Sequence, residues 1–99
     1  MNTERYGIEE LRKEYGLLTF GNALESLRKC EEMTQKEFAL KLGISPQSLC
    51  DIEKGRKIPS PSRAAKIAKL IEQPESFWIQ LGLQDMLRQG QLDYKVSIA

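Results

Sequence analysis

The chain has 99 residues, of which 40% are hydrophobic and 29% charged, and its formal net charge is +1. These values indicate one domain with a small core, and no apolar run approaches the roughly 18 residues of a membrane-spanning helix. The sequence has no histidine, which removes the commonest general base and the triads and metal sites built on it. We therefore expect no enzyme, no metal and no cofactor. Two cysteines without a secretory signal predict a cytoplasmic protein.

Two helices are predicted in the first third of the chain. Residues 3–15 form the first helix, which ends at Gly16. Thr19 caps the second helix, which continues to about residue 31. The inward side of this second helix is expected to hold Phe20, Leu24 and Leu27.

Residues 33–59, MTQKEFALKLGISPQSLCDIEKGRKIP, are the most informative stretch and predict two short helices joined by a tight turn. Thr34 and Glu37 form a Thr-x-x-Glu capping box at the start of the first of these helices. Gly43 supplies the turn residue. Ser45 caps the second helix, and a proline follows at its first position, where the missing N–H costs no helical hydrogen bond.

The second of these short helices has a polar outer face. At about 100° per residue, Leu49 and Ile52 define its inward side. The opposite stripe consists of Gln47, Cys50, Asp51 and Lys54. A helix held by two apolar residues with its polar face outward is suited to the major groove of DNA. The charge favours the same partner, because residues 36–69 carry +5 and the remainder −4.

The last third of the chain is predicted to contain two helices and a strand. One helix covers residues 61–71, and Pro74 opens a longer one that ends at Gly90. In residues 91–99, apolar and polar side chains alternate, which is the two-residue period of a β-strand. The alternating apolar residues are Leu92, Tyr94, Val96 and Ile98. Because a lone strand is unstable, we expect it to pair with a second copy of the chain.

This pattern resembles the helix-turn-helix of the phage-repressor family, of the lambda repressor and Cro type, often called the XRE family. The matching segments are Thr34-Gln35, Ala39, Leu42-Gly43-Ile44, Ser45-x-Gln47-Ser48-Leu49 and Ile52-Glu53-x-Gly55-Arg56. The resemblance implies an all-α, five-helix DNA-binding domain, here over residues 19–89. Residues 1–18 would then be an N-terminal helical extension, and residues 90–99 a C-terminal strand that serves as a dimerisation tail.

Helix geometry and the resemblance together give the candidate DNA contacts. The amide of Gln47 suits adenine N6 and N7, and the carboxylate of Asp51 suits cytosine N4. Asp51 could instead hold Gln47 or Lys54 in place. The resemblance adds Pro46, which can offer only an apolar contact, and we include Ser48 with the base-reading residues. Phosphate contacts are expected from Gln35, Lys36, Ser45, Lys54, Arg56 and Lys57, although each lysine could also be a solvated surface charge.

The resemblance also implies two structural assignments. In the family, the acid before the glycine that ends the reading helix often pairs with an arginine of the first helix, and Glu53 and Arg28 match those positions. We assign this ion pair to the scaffold. Phe77 and Trp78 are expected in the core or in a dimer contact, and we assign them to dimerisation together with Leu92, Tyr94, Val96 and Ile98.

The expected function is sequence-specific transcriptional regulation, with a homodimer that represses by binding a near-palindromic double-stranded DNA operator. An antitoxin resembling the small HigA and HipB type, which would also bind a cognate toxin protein, and an autonomous phage-type repressor are both open. A third hypothesis is a protein-interaction module that has kept this fold but lost its DNA contacts.

Overall fold

The computed structural model describes residues 18–90, which contain five α-helices and no strand. The helices are α1 (Phe20–Cys30), α2 (Gln35–Leu42), α3 (Pro46–Glu53), α4 (Pro61–Leu70) and α5 (Glu75–Gln89). This all-α arrangement fits the predicted helix-turn-helix fold. The helix predicted over residues 3–15 lies outside the described residues.

The predicted fold class must be corrected, because the C-terminal β-strand is not seen. The described part of the structure is entirely helical, and residues 91–99, where the strand was placed, lie outside it. Alternation of apolar and polar residues is a weak signal for a strand unless a neighbouring strand can accept its hydrogen bonds. Residues 18–90 offer no such neighbour.

The predicted caps at the helix starts are confirmed. The hydroxyl groups of Thr19 and Ser45 each accept a hydrogen bond from a backbone N–H three residues later, at the starts of α1 and α3. The capping box of α2 is complete, since Thr34 Oγ1 accepts from Glu37 N and Glu37 Oε1 accepts from Thr34 N. The hydrogen bond from the Thr34 backbone lowers the pKa of Glu37. Gly43 ends α2 with φ of 70°, a left-handed conformation that glycine adopts without strain.

All five helices contribute to one apolar core. Its largest fully buried side chains are Phe20, Phe38, Leu24 and Leu49. Trp78 of α5 lies edge-on to Phe20, with 5.1 Å between the ring centroids. Trp78 is only 2% exposed, so it lies in the core, one of the two places expected for it from the sequence, and its assignment to dimerisation stays a prediction. Phe77 is half-buried, and its ring centroid lies 5.7 Å from that of Trp78 in an edge-on arrangement.

The first turn of α1 is fixed between α3 and α5. The Cα of Gly21 lies so close to the end of α3 that a Cβ built there would be 2.3 Å from the carbonyl oxygen of Ile52. On the other side, the carboxylate of Asp85 in α5 accepts a hydrogen bond from Phe20 N at 2.9 Å and also pairs with Arg88. Burial raises the pKa of this Asp85 carboxyl although both partners favour its charged form. These contacts fix the position of α3 on the protein and therefore which of its faces is exposed to solvent.

Candidate nucleic-acid interface

The outward side of α3 carries the predicted base-reading residues. Pro46 and Gln47 are exposed, and Ser48 is half-buried. The inward side is held by Leu49 and Ile52, which are 0% and 6% exposed. Within the polar stripe of α3, Gln47 and Lys54 are exposed, whereas Cys50 and Asp51 are half-buried.

Asp51 is the centre of a charged network at the end of this stripe. Its Oδ1 accepts hydrogen bonds from Gln47 Nε2 at 3.1 Å and from Arg56 Nε at 2.9 Å. Its Oδ2 lies 4.0 Å from Lys57 Nζ, and its backbone carbonyl accepts from the N–H groups of Arg56 and Lys57. The hydrogen bond from Arg56 lowers the pKa of Asp51, so the carboxylate is charged and acts only as an acceptor. Base reading by Asp51 itself stays a prediction. Its carboxylate already accepts hydrogen bonds from Gln47 and Arg56.

A second network joins α3 to the first two helices from the buried side. Arg28 donates from Nε to Glu53 Oε2 at 2.8 Å and from Nη2 to Glu53 Oε1 at 3.2 Å. Arg28 Nη1 also donates to the carbonyl oxygen of Met33, and Gln35 Nε2 donates to Glu53 Oε1 at 2.8 Å. Glu53 is 4% exposed, so the hydrogen bonds from Arg28 and Gln35 take the place of water at its carboxylate oxygens. The amide nitrogen of Gln35, a predicted phosphate ligand, is therefore engaged inside the protein.

The other predicted phosphate ligands lie on the surface, at the start of α2 and at the two ends of α3. Lys36, Ser45, Lys54, Arg56 and Lys57 are all exposed. The Ser45 hydroxyl caps α3 by accepting from Ser48 N at 3.0 Å. The guanidinium of Arg56 is shared between Asp51 and the thiol of Cys50, which lies 3.6 Å from Nη2.

Sequence reasoning missed the contact between Asp51 and Arg56. Helix periodicity relates residues within α3, but Arg56 follows the turn at Gly55, whose φ of 78° brings the chain back towards the helix. The glycine was the available signal, although it indicated only that the helix ends there.

The described residues show neither a metal site nor a membrane span. Between Leu18 and Gly90, no group of three or more acidic or cysteine side chains is placed to hold a metal ion. No helix in that part of the chain is long and apolar enough to cross a membrane.

Two short helices joined at a left-handed glycine, with the second presenting a polar face, define a helix-turn-helix protein. Comparison with known proteins gives the family. The family model described as helix-turn-helix matches residues 24–78, more than half of the chain. The chain belongs to this helix-turn-helix family, of the XRE type.

Individual relatives are similar over the same region. An uncharacterized HTH-type transcriptional regulator of Methanocaldococcus jannaschii is 46% identical over 48 residues, which are 48% of this chain and 73% of that protein. Endothelial differentiation-related factor 1 of Homo sapiens is 35% identical over 63 residues, and its homologue in Gallus gallus is 36% identical over the same length. These two alignments cover 64% of this chain but only 43% of the relatives, so the chain spans less than half of their length. No solved structure matches the chain significantly.

Proposed function

We propose that the chain is a sequence-specific DNA-binding transcriptional regulator whose α3 enters the major groove. The observation that carries the proposal is the polar outer face of α3, where Gln47 is exposed and the cations Lys54, Arg56 and Lys57 follow at the end of the helix. An exposed amide beside several cations suits a base edge flanked by phosphates. Membership of the helix-turn-helix family and the archaeal relative's name as a transcriptional regulator support the proposal.

Two groups of residues would make different contacts with DNA, one with the bases and one with the phosphates. Gln47, with Pro46 and Ser48 beside it, would face base edges and supply sequence preference. The phosphates would be bound by Lys36, Ser45, Lys54, Arg56 and Lys57, and by the backbone N–H groups at the start of α2. These phosphate contacts would give affinity that falls with salt and does not depend on sequence.

Gln47→Ala and Lys57→Ala should separate the two groups. We expect Gln47→Ala to lose about 1–3 kcal/mol of preference at one base pair, because the amide that reads it is gone. Lys57→Ala should weaken binding to all duplexes alike and reduce the slope of log affinity against log salt by about one. Fluorescence anisotropy with the preferred duplex and its single-base variants, at several salt concentrations, measures both effects.

The matched control is Lys29→Ala, which removes a cation that pairs with Glu25 on α1. The affinity of this variant for DNA, and the dependence of that affinity on salt, should equal those of the unmodified chain. Equal weakening of every duplex by Gln47→Ala, or an unchanged salt slope in Lys57→Ala, would contradict the division of contacts.

We further propose that the protein acts as a homodimer that represses by occupying its operator. On α5, Leu83 and Leu87 are half-buried, and helix geometry puts them on the side away from the buried residues Trp78 and Leu81. Apolar side chains on that side can join two copies of the chain. Two α3 helices about 34 Å apart would then enter successive major grooves of a near-palindromic operator and block transcription. A toxin partner stays a prediction, because no contact within residues 18–90 bears on it.

Leu83→Glu should shift the full chain from dimer towards monomer and weaken operator binding with it, since a charge in an apolar contact is costly to desolvate. Sedimentation equilibrium over a range of concentrations measures the shift. Gln89→Glu places the same charge at an exposed position near the end of the same helix and should leave the association unchanged. A chain that sediments as a monomer without the substitution would rule out the proposed dimer.

A further inference from the structure

The side-chain amide of Gln47 can present its oxygen and nitrogen in two opposite orientations, and Asp51 favours one of them. In the structure, Gln47 Nε2 donates to Asp51 Oδ1 at 3.1 Å. The reversed amide would bring Gln47 Oε1 against the same carboxylate oxygen, so that two acceptors would face each other without a proton between them. An ionised Asp51 therefore holds the Gln47 amide with its nitrogen, and not its oxygen, directed at the carboxylate.

Asp51 is in turn held in place from the other side. Its Oδ1 receives Arg56 Nε at 2.9 Å, and Lys57 Nζ lies 4.0 Å from Oδ2. The turn that brings these cations back is closed by two hydrogen bonds to the Asp51 carbonyl oxygen, from Arg56 N at 2.8 Å and Lys57 N at 3.2 Å. The Asp51 side chain is only 16% exposed. The carboxylate is thus a fixed acceptor one helical turn from Gln47.

This fixed orientation determines what Gln47 offers to a base. One hydrogen of Nε2 is used by Asp51, which leaves the second hydrogen and Oε1 as one donor and one acceptor. The major-groove edge of adenine has the complementary pair, N7 as acceptor and N6 as donor. Guanine offers two acceptors, N7 and O6, which would require two donors.

We propose that Asp51 is a positioning residue that sets the base preference at the Gln47 contact, favouring adenine over guanine, without touching DNA itself. The inference rests on the proposed function, because it requires α3 to face base edges in the major groove. It replaces a direct cytosine contact by Asp51 with an indirect role that acts through the neighbouring amide.

Asp51→Asn tests the proposal, since an asparagine can donate as well as accept and so permits both orientations of Gln47. We expect the ratio of affinities for adenine and guanine at one base pair to fall about tenfold, with preferences at the other positions retained. Binding to all duplexes should also strengthen, because a negative charge near phosphate is removed. Glu75→Gln, which removes an exposed carboxylate paired with Lys69 at the start of α5, is the charge control and should leave the ratio unchanged.

The same substitution in a Gln47→Ala background distinguishes an orienting role from a general structural one. There, Asp51→Asn should leave the adenine-to-guanine ratio unchanged, because no amide remains to be oriented. Asp51→Ala, which removes the carboxylate altogether, is a second variant that should reproduce the loss, and circular dichroism verifies that each variant is folded.

Three possible results of these binding measurements distinguish an orienting role of Asp51 from its alternatives. A loss of discrimination that depends on Gln47 supports the proposal. Unchanged discrimination in Asp51→Asn and Asp51→Ala, or an equal change without Gln47, would overturn it while leaving sequence-specific binding intact. Sequence-blind binding by the unmodified chain would overturn both the inference and the proposed function.

Discussion

Arg28→Ala should lower the free energy of unfolding by about 3 kcal/mol or more. The substitution leaves Glu53, which is 4% exposed, without the guanidinium that provides two of its hydrogen bonds. Removing one partner of a buried ion pair typically costs about 3–5 kcal/mol, because the remaining charge is poorly solvated. The remaining donor, Gln35, is neutral, so its hydrogen bond to Glu53 compensates for only part of the lost interaction with the guanidinium. For a domain of this size, the melting temperature should fall by more than about 10 °C.

Thermal and urea unfolding followed by circular dichroism measure this loss. Lys29→Ala is the matched control, because Lys29 is the next residue on α1 and its ion pair with Glu25 is exposed. A surface pair of this kind contributes about 1 kcal/mol at most. If Arg28→Ala melts at the same temperature as the unmodified chain, the ion pair does not stabilise the scaffold. The base preference of folded Arg28→Ala should be retained, because neither member of the pair lies on the outer face of α3.

Gly21→Ala should destabilise the fold by about 2–3 kcal/mol, although alanine is the better helix former. The new Cβ would lie 2.3 Å from the carbonyl oxygen of Ile52 and 2.7 Å from that of Glu53. Both are backbone atoms at the end of α3, so they cannot give way as a side chain can. Relief requires that α3 move away from α1, which would also displace Glu53 from Arg28. We therefore expect lower stability in urea and weaker DNA binding by the molecules that remain folded.

Gly82→Ala provides the comparison, because it makes the same chemical change inside α5. There the Cβ would lie 3.4 Å from the carbonyl oxygen of Pro59, an ordinary contact. The gain in helix propensity, up to about 1 kcal/mol, can then offset any local adjustment. Similar unfolding free energies for the two variants would show that the close approach at Gly21 does not determine the position of α3.

Local features of the fold could be predicted because the residues that determine them are neighbours in sequence. Thr34 and Glu37 are three residues apart, and their capping box depends on nothing beyond one helical turn. The left-handed turn at Gly43 follows from that residue's own conformational freedom. The pairing of Arg28 with Glu53 could be suggested only through the family resemblance, since no periodicity connects two residues on different helices.

Long-range contacts could not be predicted in the same way. The hydrogen bond from Phe20 N to Asp85 joins residues 65 positions apart, and nothing near either residue indicates the other. The apolar pattern of α5 left Trp78 open between the core and a dimer contact, because its burial depends on how α5 packs against Phe20. For the candidate interface, helix geometry identified the outward side of α3, but the return of Arg56 onto Asp51 requires the path of the chain after Gly55.

The most direct test of DNA reading by α3 is selection of bound duplexes from a random pool, at two salt concentrations. We expect a half-site repeated with two-fold symmetry, its centres about one helical turn apart, and weaker binding at the higher salt. The same selection with Gln47→Ala should lose preference at one position in each half-site. Binding that depends on salt but selects no sequence, or no binding at all, would contradict the account and favour a protein-interaction module.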